Sequence, residues 1–161
     1  MHPLAAVIVL HLLHHHCFGW IASRAKVLEY FQKTLAENTP LRPMARRDFV
    51  TSMGAWYGFK PRCDFKRLGI DRNDLCRHMK TLGFDVDVPG SGTIPEYRLF
   101  RDSSISPPGF VAQPEHAEYP GAAAYCASTI SLPTFTFESQ IPTVDAYVEA
   151  FCDYFNEKGL S

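Results

Sequence analysis

Residues 127–159 constrain the fold more than any other stretch, because they carry three signals in a fixed order. Ala127-Ser-Thr-Ile-Ser-Leu reads as a short buried strand, Pro133 breaks it, and the remainder reads as a closing amphipathic helix. Val144, Val148, Phe151 and Phe155 recur at i, i+4, i+7 and i+11, which makes one apolar stripe, while Asp145, Glu149, Asp153 and Glu157 keep the flank in water. Thr143 is placed to cap that helix and Gly159 to end it. Such a stripe needs a core to cover it, and 161 residues, 46% apolar and 20% charged, are enough to build one.

The charge balance excludes some functions. A net charge of −1 with both signs interspersed leaves no basic footprint for nucleic acid. Cys17, Cys63, Cys76, Cys126 and Cys152 are odd in number and never spaced C-x-x-C, which fits neither a disulfide framework nor a zinc ribbon. They read as reduced thiols of a cytoplasmic protein.

The front of the chain allows two readings. Residues 3–18 are apolar and are followed by the small residues Ala22 and Ser23, as in a secretory signal. Against a signal stand the lack of Lys or Arg before the run, the histidines at its far end and the odd cysteine count. The run over residues 4–13 is also shorter than the ~20 residues that span a bilayer, so no membrane partner is expected. The competing reading is one long helix over residues 1–38, with Ala25, Leu28, Phe31 and Leu35 on one face and Asn38 and Pro40 as its stop. Its first half is apolar nearly all round, and one small domain cannot cover such a surface.

Farther along, residues 49–59 alternate (Phe49, Thr51, Met53, Ala55, Tyr57, Phe59) and predict a strand, with glycines beside Trp56 suggesting close backbone approach. Asp71 and Asp74 open a helix whose buried stripe is Leu75, Met79 and Leu82, with Gly83 as the stop. Phe84-Asp-Val-Asp-Val88 then alternates as a half-buried strand. Residues 89–119 hold five of the twelve prolines and read as a long loop, before a short helix near residues 122–127. The expected class is therefore α+β, a long N-terminal helix followed by a small antiparallel sheet packed with helices. The expected division is residues 1–38 as a connecting helix and 39–161 as a small domain.

Few residues stand out chemically. His11 and His15 stand at i, i+4 with His14 and His16 beside them, yet no outlying ligand completes a metal set, and a partly exposed helix face accounts for them. Cys63 and Cys76 lack a base to activate them, so packing explains them better than nucleophilic catalysis. Asp71 and Asp74 read as capping groups. Ser91 and Gly92 in Pro89-Gly-Ser-Gly either cradle an anion through backbone N–H groups or simply make a turn.

Several motifs, in order, resemble the C-terminal small domain of the DegT/DnrJ/StrS family of sugar aminotransferases, which use pyridoxal phosphate (PLP). Met1-His-Pro-Leu-Ala-Ala resembles that family's Arg-Met-x-x-x-x-Ala signature, and residues 21–35 its connecting helix. Gly54-Ala-Trp-Tyr-Gly-Phe-Lys-Pro resembles the strand that follows, and Ile70-Asp-Arg-Asn-Asp-Leu its Gly-Ile-x-Arg-x-x-Leu helix start. Leu82-Gly-Phe-Asp-Val, the Val88-Pro-Gly-Ser-Gly loop and the terminal Ser-Leu-Pro complete the match. The resemblance implies transfer of an amino group to a keto-sugar, typically nucleotide-linked. In that family the lysine that holds PLP covalently lies upstream of the position matching Met1, so this chain alone is expected to bind no cofactor and to be inactive. It implies Ser91, Gly92, Tyr97 and Arg98 as the substrate-facing group, no catalytic or metal-binding residue, and a PLP-binding large domain or homologous subunit as partner through the N-terminal helix. The alternative is a non-enzymatic remnant serving as an interaction module.

Overall fold

No Asp, Glu, Lys or Arg occurs before Arg24, and the front of the chain forms continuous helix. A computed structural model describes residues 2–54, 56–90, 92–102, 104–105, 109 and 119–160. Helix α1 (Pro3–Leu12) begins with Pro3 in its first turn, where a missing N–H costs nothing, and His2 Nδ1 accepts the Leu4 N–H at 3.3 Å. One π-helical turn, Leu13–Cys17, joins it to α2 (Phe18–Asn38). The chain continues through α3 (Phe65–Leu68), α4 (Arg72–Thr81), a 3₁₀ turn (Ile94–Glu96), α5 (Arg98–Arg101), α6 (Pro120–Ser128), a second 3₁₀ turn (Glu138–Gln140) and α7 (Ile141–Glu157).

The core starts only in the second half of α2. Val27, Leu28, Phe31 and Leu35 are buried there and face the stripe of α7, where Val144, Tyr147, Val148, Phe151, Tyr154 and Phe155 are buried in turn. Phe31 sits at the meeting point, edge-on to Phe59 (ring centroids 4.9 Å apart) and to Tyr147 (6.0 Å). Burial stabilises each such ring by about 1.5–3 kcal/mol, and the edge-to-face geometry adds to it. One polar link joins the pair, Tyr30 Oη donating to Asp145 Oδ1 at 2.6 Å, and Arg24 ties α2 to the segment before α7 by donating to Thr136 Oγ1.

Helix α4 follows its signals closely. Asp71 Oδ1 accepts the Asn73 N–H at 2.7 Å as its cap, and Leu75 and Met79 are fully buried. At its end Phe84 N–H reaches Met79 O and Gly83 N–H reaches Lys80 O, a Schellman closure that needs the φ of +88° at Gly83. Gly159 closes α7 in the same way. Two details differ from the sequence reading. Leu82 lies beyond the last turn and is 54% exposed, and Gln140, not Thr143, occupies the cap position of α7 because Ile141 and Pro142 already form its first turn.

The expected antiparallel sheet does not form. Among the described residues there is no strand, only four isolated antiparallel bridges: Arg42 with Arg62, Phe59 with Leu132, Arg62 with Thr129, and Asp87 with Ser131. The fold is thus mostly helical, a correction to the α+β expectation, and the cause lies in where the ladder donors go. Positive φ at Gly54 and Trp56 breaks the alternation of residues 49–59. Pro61, between two bridging residues, has no N–H to give. In the segment 84–88, Phe84 N–H closes α4 and Asp85 N–H goes to the Tyr147 hydroxyl at 2.8 Å, which leaves Asp87 alone to exchange hydrogen bonds with Ser131.

That Tyr147 bond supports a first prediction. Tyr147→Phe keeps the ring packing but strands the Asp85 N–H, and should cost about 1–2 kcal/mol in chemical denaturation. An unchanged midpoint would show that water already serves that amide.

Candidate functional site

The loop beyond residue 88 carries the predicted substrate-facing group. Gly92 N–H donates to the Tyr97 hydroxyl at 2.9 Å, and the 3₁₀ turn between them closes with Glu96 N–H on Thr93 O and Tyr97 N–H on Ile94 O. Arg98 then points along α5, where its Nε and Nη2 donate to one oxygen of Asp102 at 3.1 and 3.0 Å. Hydrogen bonds from Ser104, and next from Arg98, hold the Asp102 carboxyl below its usual range. Gly92, Tyr97 and Arg98 are therefore brought into one short loop, whereas Ser91 lies outside the described residues. Thr93, in the same loop, is buried, and its Oγ1 has no hydrogen-bond partner among the described residues.

The groups this loop exposes are hydrogen-bonding and cationic ones. The Arg98 side chain is 78% exposed, and the Tyr97 hydroxyl is an acceptor that keeps its own proton to donate. The Arg98–Asp102 pair is worth little in water, so an incoming phosphate can exchange with Asp102 at small cost.

The other residues singled out fall as follows. His11 and His15 rings lie 4.6 Å apart on the exposed helix, and His16 stacks on Trp20. Among the described residues no three of His, Cys, Asp or Glu are arranged to hold a metal. Cys63 and Cys76 are buried; burial pushes the Cys63 thiol up to about 11 and raises that of Cys76 as well, so neither is a nucleophile near neutrality. Asp71 caps α4, and Asp74 pairs with Arg77 at 2.6 Å.

A covalent PLP site needs a lysine that can lose its proton beside groups gripping the ring and phosphate. The six lysines do not fit. Lys26, Lys33 and Lys80 pair with Glu138, Glu37 and Asp87, and the Asp87 contact raises the Lys80 pKa. Lys158 lies over the Tyr154 ring on the surface, and neither Lys60 nor Lys66 is buried.

Sequence reasoning missed a cavity of about 600 Å³ between the segment 62–68, the start of the loop after α2, and α6. Its lining comes from three separated stretches, so no local motif announces it. A second cavity of about 470 Å³ lies between α2 and residues 43–56. Trp56 lines it, and its Nε1–H has no partner among the described residues.

No family model and no curated protein matches the chain. Solved structures do. The chain is similar to E. coli GDP-4-keto-6-deoxy-D-mannose-3-dehydratase with bound hydrated PLP (TM-score 0.61, 17% identity, 82% of this chain and 31% of that one). A mutant of GDP-4-keto-6-deoxymannose-3-dehydratase (ColD) with bound GDP-perosamine gives a TM-score of 0.60 at 17% identity over the same shares. S. venezuelae DesV in complex with a ketimine intermediate gives 0.56 at 15% identity over 94% of this chain and 34% of that one. The fold is thus shared with a part of each of these structures, and the chain spans about a third of their length.

Proposed function

We propose that this chain is the C-terminal part of a PLP-dependent enzyme acting on nucleotide-linked keto-sugars, of the DegT/DnrJ/StrS aminotransferase kind. Residues 1–38 are its interdomain helix and 39–161 its small domain, in the cytoplasm. The observation that supports this most is the shared fold, which takes in 82–94% of this chain yet only 31–34% of three sugar-enzyme structures. Two of those are dehydratases by name, so amino transfer is inferred from the motifs and not from the fold. In this reading Ser91, Gly92, Tyr97 and Arg98 form a wall of the sugar-nucleotide pocket, and the cofactor lysine belongs to a large domain or second subunit.

The partner seats on the apolar half of the N-terminal helix. By length and composition alone the helix Pro3–Asn38 is long and apolar enough to cross a membrane. Four histidines between residues 11 and 16 are costly at bilayer depth, which favours a protein surface over lipid. The same exposed helix is what favours the second reading, a non-enzymatic interaction module.

Arg98→Ala, in the chain assembled with a PLP-binding large domain, tests the site. Loss of a charge-assisted phosphate contact should raise KM for the nucleotide sugar about tenfold or more and leave the half-reaction with the amino donor nearly unchanged. An equal loss in both half-reactions, or no change in either, removes Arg98 from the pocket.

A further inference from the structure

We propose that the larger cavity is a binding site for an organic phosphate, separate from the loop at residues 92–98. It shares no residue with that loop, so it stands apart from the reading above. Its rim carries Arg42, Arg62, Lys66 and Arg67 against one carboxylate, Asp64, in a molecule whose net charge is −1. That excess of positive charge is local, and Asp64 offsets only part of it. Arg62, Lys66 and Arg67 form no ion pair among the described residues, whereas Lys26, Lys33, Arg46, Arg77, Lys80 and Arg98 each do. Asp64 is already engaged, accepting the Arg67 N–H at 3.0 Å.

Neighbouring backbone does not neutralise the rim either. Two C-terminal carbonyls of α6 and the one just beyond it are engaged: Arg72 bonds Cys126 O and Thr129 O, and Cys63 N–H takes Ser128 O at 2.8 Å. Arg42 spends its Nη1 on Ala36 O and Thr39 O at the end of α2, which holds its guanidinium in the lining of the cavity. Unpaired cations around a concave, partly apolar wall focus their field into it and draw an anion. Arginines grip phosphate through paired N–H donors.

The rest of the wall decides what kind of anion. Pro40, Phe65, Leu68, Ala124 and Ala127 line the same cavity with apolar surface beside the charged groups. A volume of about 600 Å³ exceeds what bare phosphate fills and lies within the range of small-molecule sites. The matching ligand is a phosphate ester whose apolar body packs against these side chains while its oxygens pair with Arg62 and Arg67.

Isothermal titration of the full chain with phenyl phosphate and, separately, inorganic phosphate tests this at two salt concentrations. Phenyl phosphate should bind at least about tenfold more tightly than inorganic phosphate, and more weakly as salt rises. The exposed pair Arg62→Gln/Arg67→Gln should weaken phenyl phosphate about tenfold or more, Lys66→Gln should weaken it less, and Lys33→Gln, at a paired lysine on α2, should leave it unchanged. Circular dichroism of each variant confirms that the fold is intact, and Lys66→Gln alone carries the test should the double variant misfold. Absence of binding, equal affinity for the two probes, or loss of affinity that Lys33→Gln reproduces would overturn the proposal.

Discussion

Phe31→Ala should remove about 3–5 kcal/mol of stability, the largest single effect expected anywhere in the chain. Phe31 is fully buried and its ring touches three others, those of Phe59, Phe135 and Tyr147, which arrive from separate segments. Truncation therefore leaves a void that several elements border, and none can collapse into it without releasing another contact. Against a total of about 5–15 kcal/mol for an ordinary domain, the variant would be close to its limit. Phe49→Ala is the matched control, since Phe49 is largely exposed and should change the midpoint by less than about 0.5 kcal/mol. Urea titrations of both variants decide it, and equal losses would mean that α2 and α7 do not form the core.

Removing residues 1–18 should have the opposite signature, with little effect on folding and a large one on association. Nothing in α1 or the π-helical turn is buried, while Leu4, Val7, Ile8, Leu10 and Leu13 stand exposed around the whole circumference. An apolar patch of that extent is a docking surface or an aggregation hazard. In sedimentation velocity the full chain should run as oligomers and the shortened chain as a monomer, with matching urea midpoints. A full-length chain that sediments as a monomer would remove the argument for a partner on this helix.

What was legible in the sequence was what depends on neighbours along the chain. The stripe from Val144 to Phe155, the Asp71 cap and the Gly83 stop are decided within a turn or two of helix, and the structure has them. The strands failed because pairing depends on partners elsewhere. Alternation in residues 49–59 and 84–88 says which side chains share a face, but Pro61, the positive φ at Trp56 and the diversion of the Asp85 N–H to Tyr147 decide whether a ladder forms. Leu82 was misread for a smaller reason: its helical spacing continues the stripe of α4, but the helix has already turned at Thr81.

The candidate site divides in the same way. Gly92, Tyr97 and Arg98 lie within seven residues of a stretch that reads as loop from its prolines and glycines, but the 3₁₀ turn at Ile94–Glu96 that brings Gly92 to Tyr97 carries no signal of its own. Asp102 as the partner of Arg98 sits at i+4 and could have been found from helical spacing. The basic cavity could not, because Arg42, Arg62 and Ser128 meet only through the bridges that tie residue 42 to 62 and 62 to 129.

The claim underlying the proposed function is that cofactor chemistry belongs to a partner while this chain supplies the pocket wall. Incubating the chain with PLP, reducing with borohydride and mapping the product by mass spectrometry tests it most directly. The account predicts only scattered, substoichiometric labelling across Lys26, Lys33, Lys60, Lys66, Lys80 and Lys158, none of which is buried. One lysine carrying a full equivalent of pyridoxyl group would contradict it.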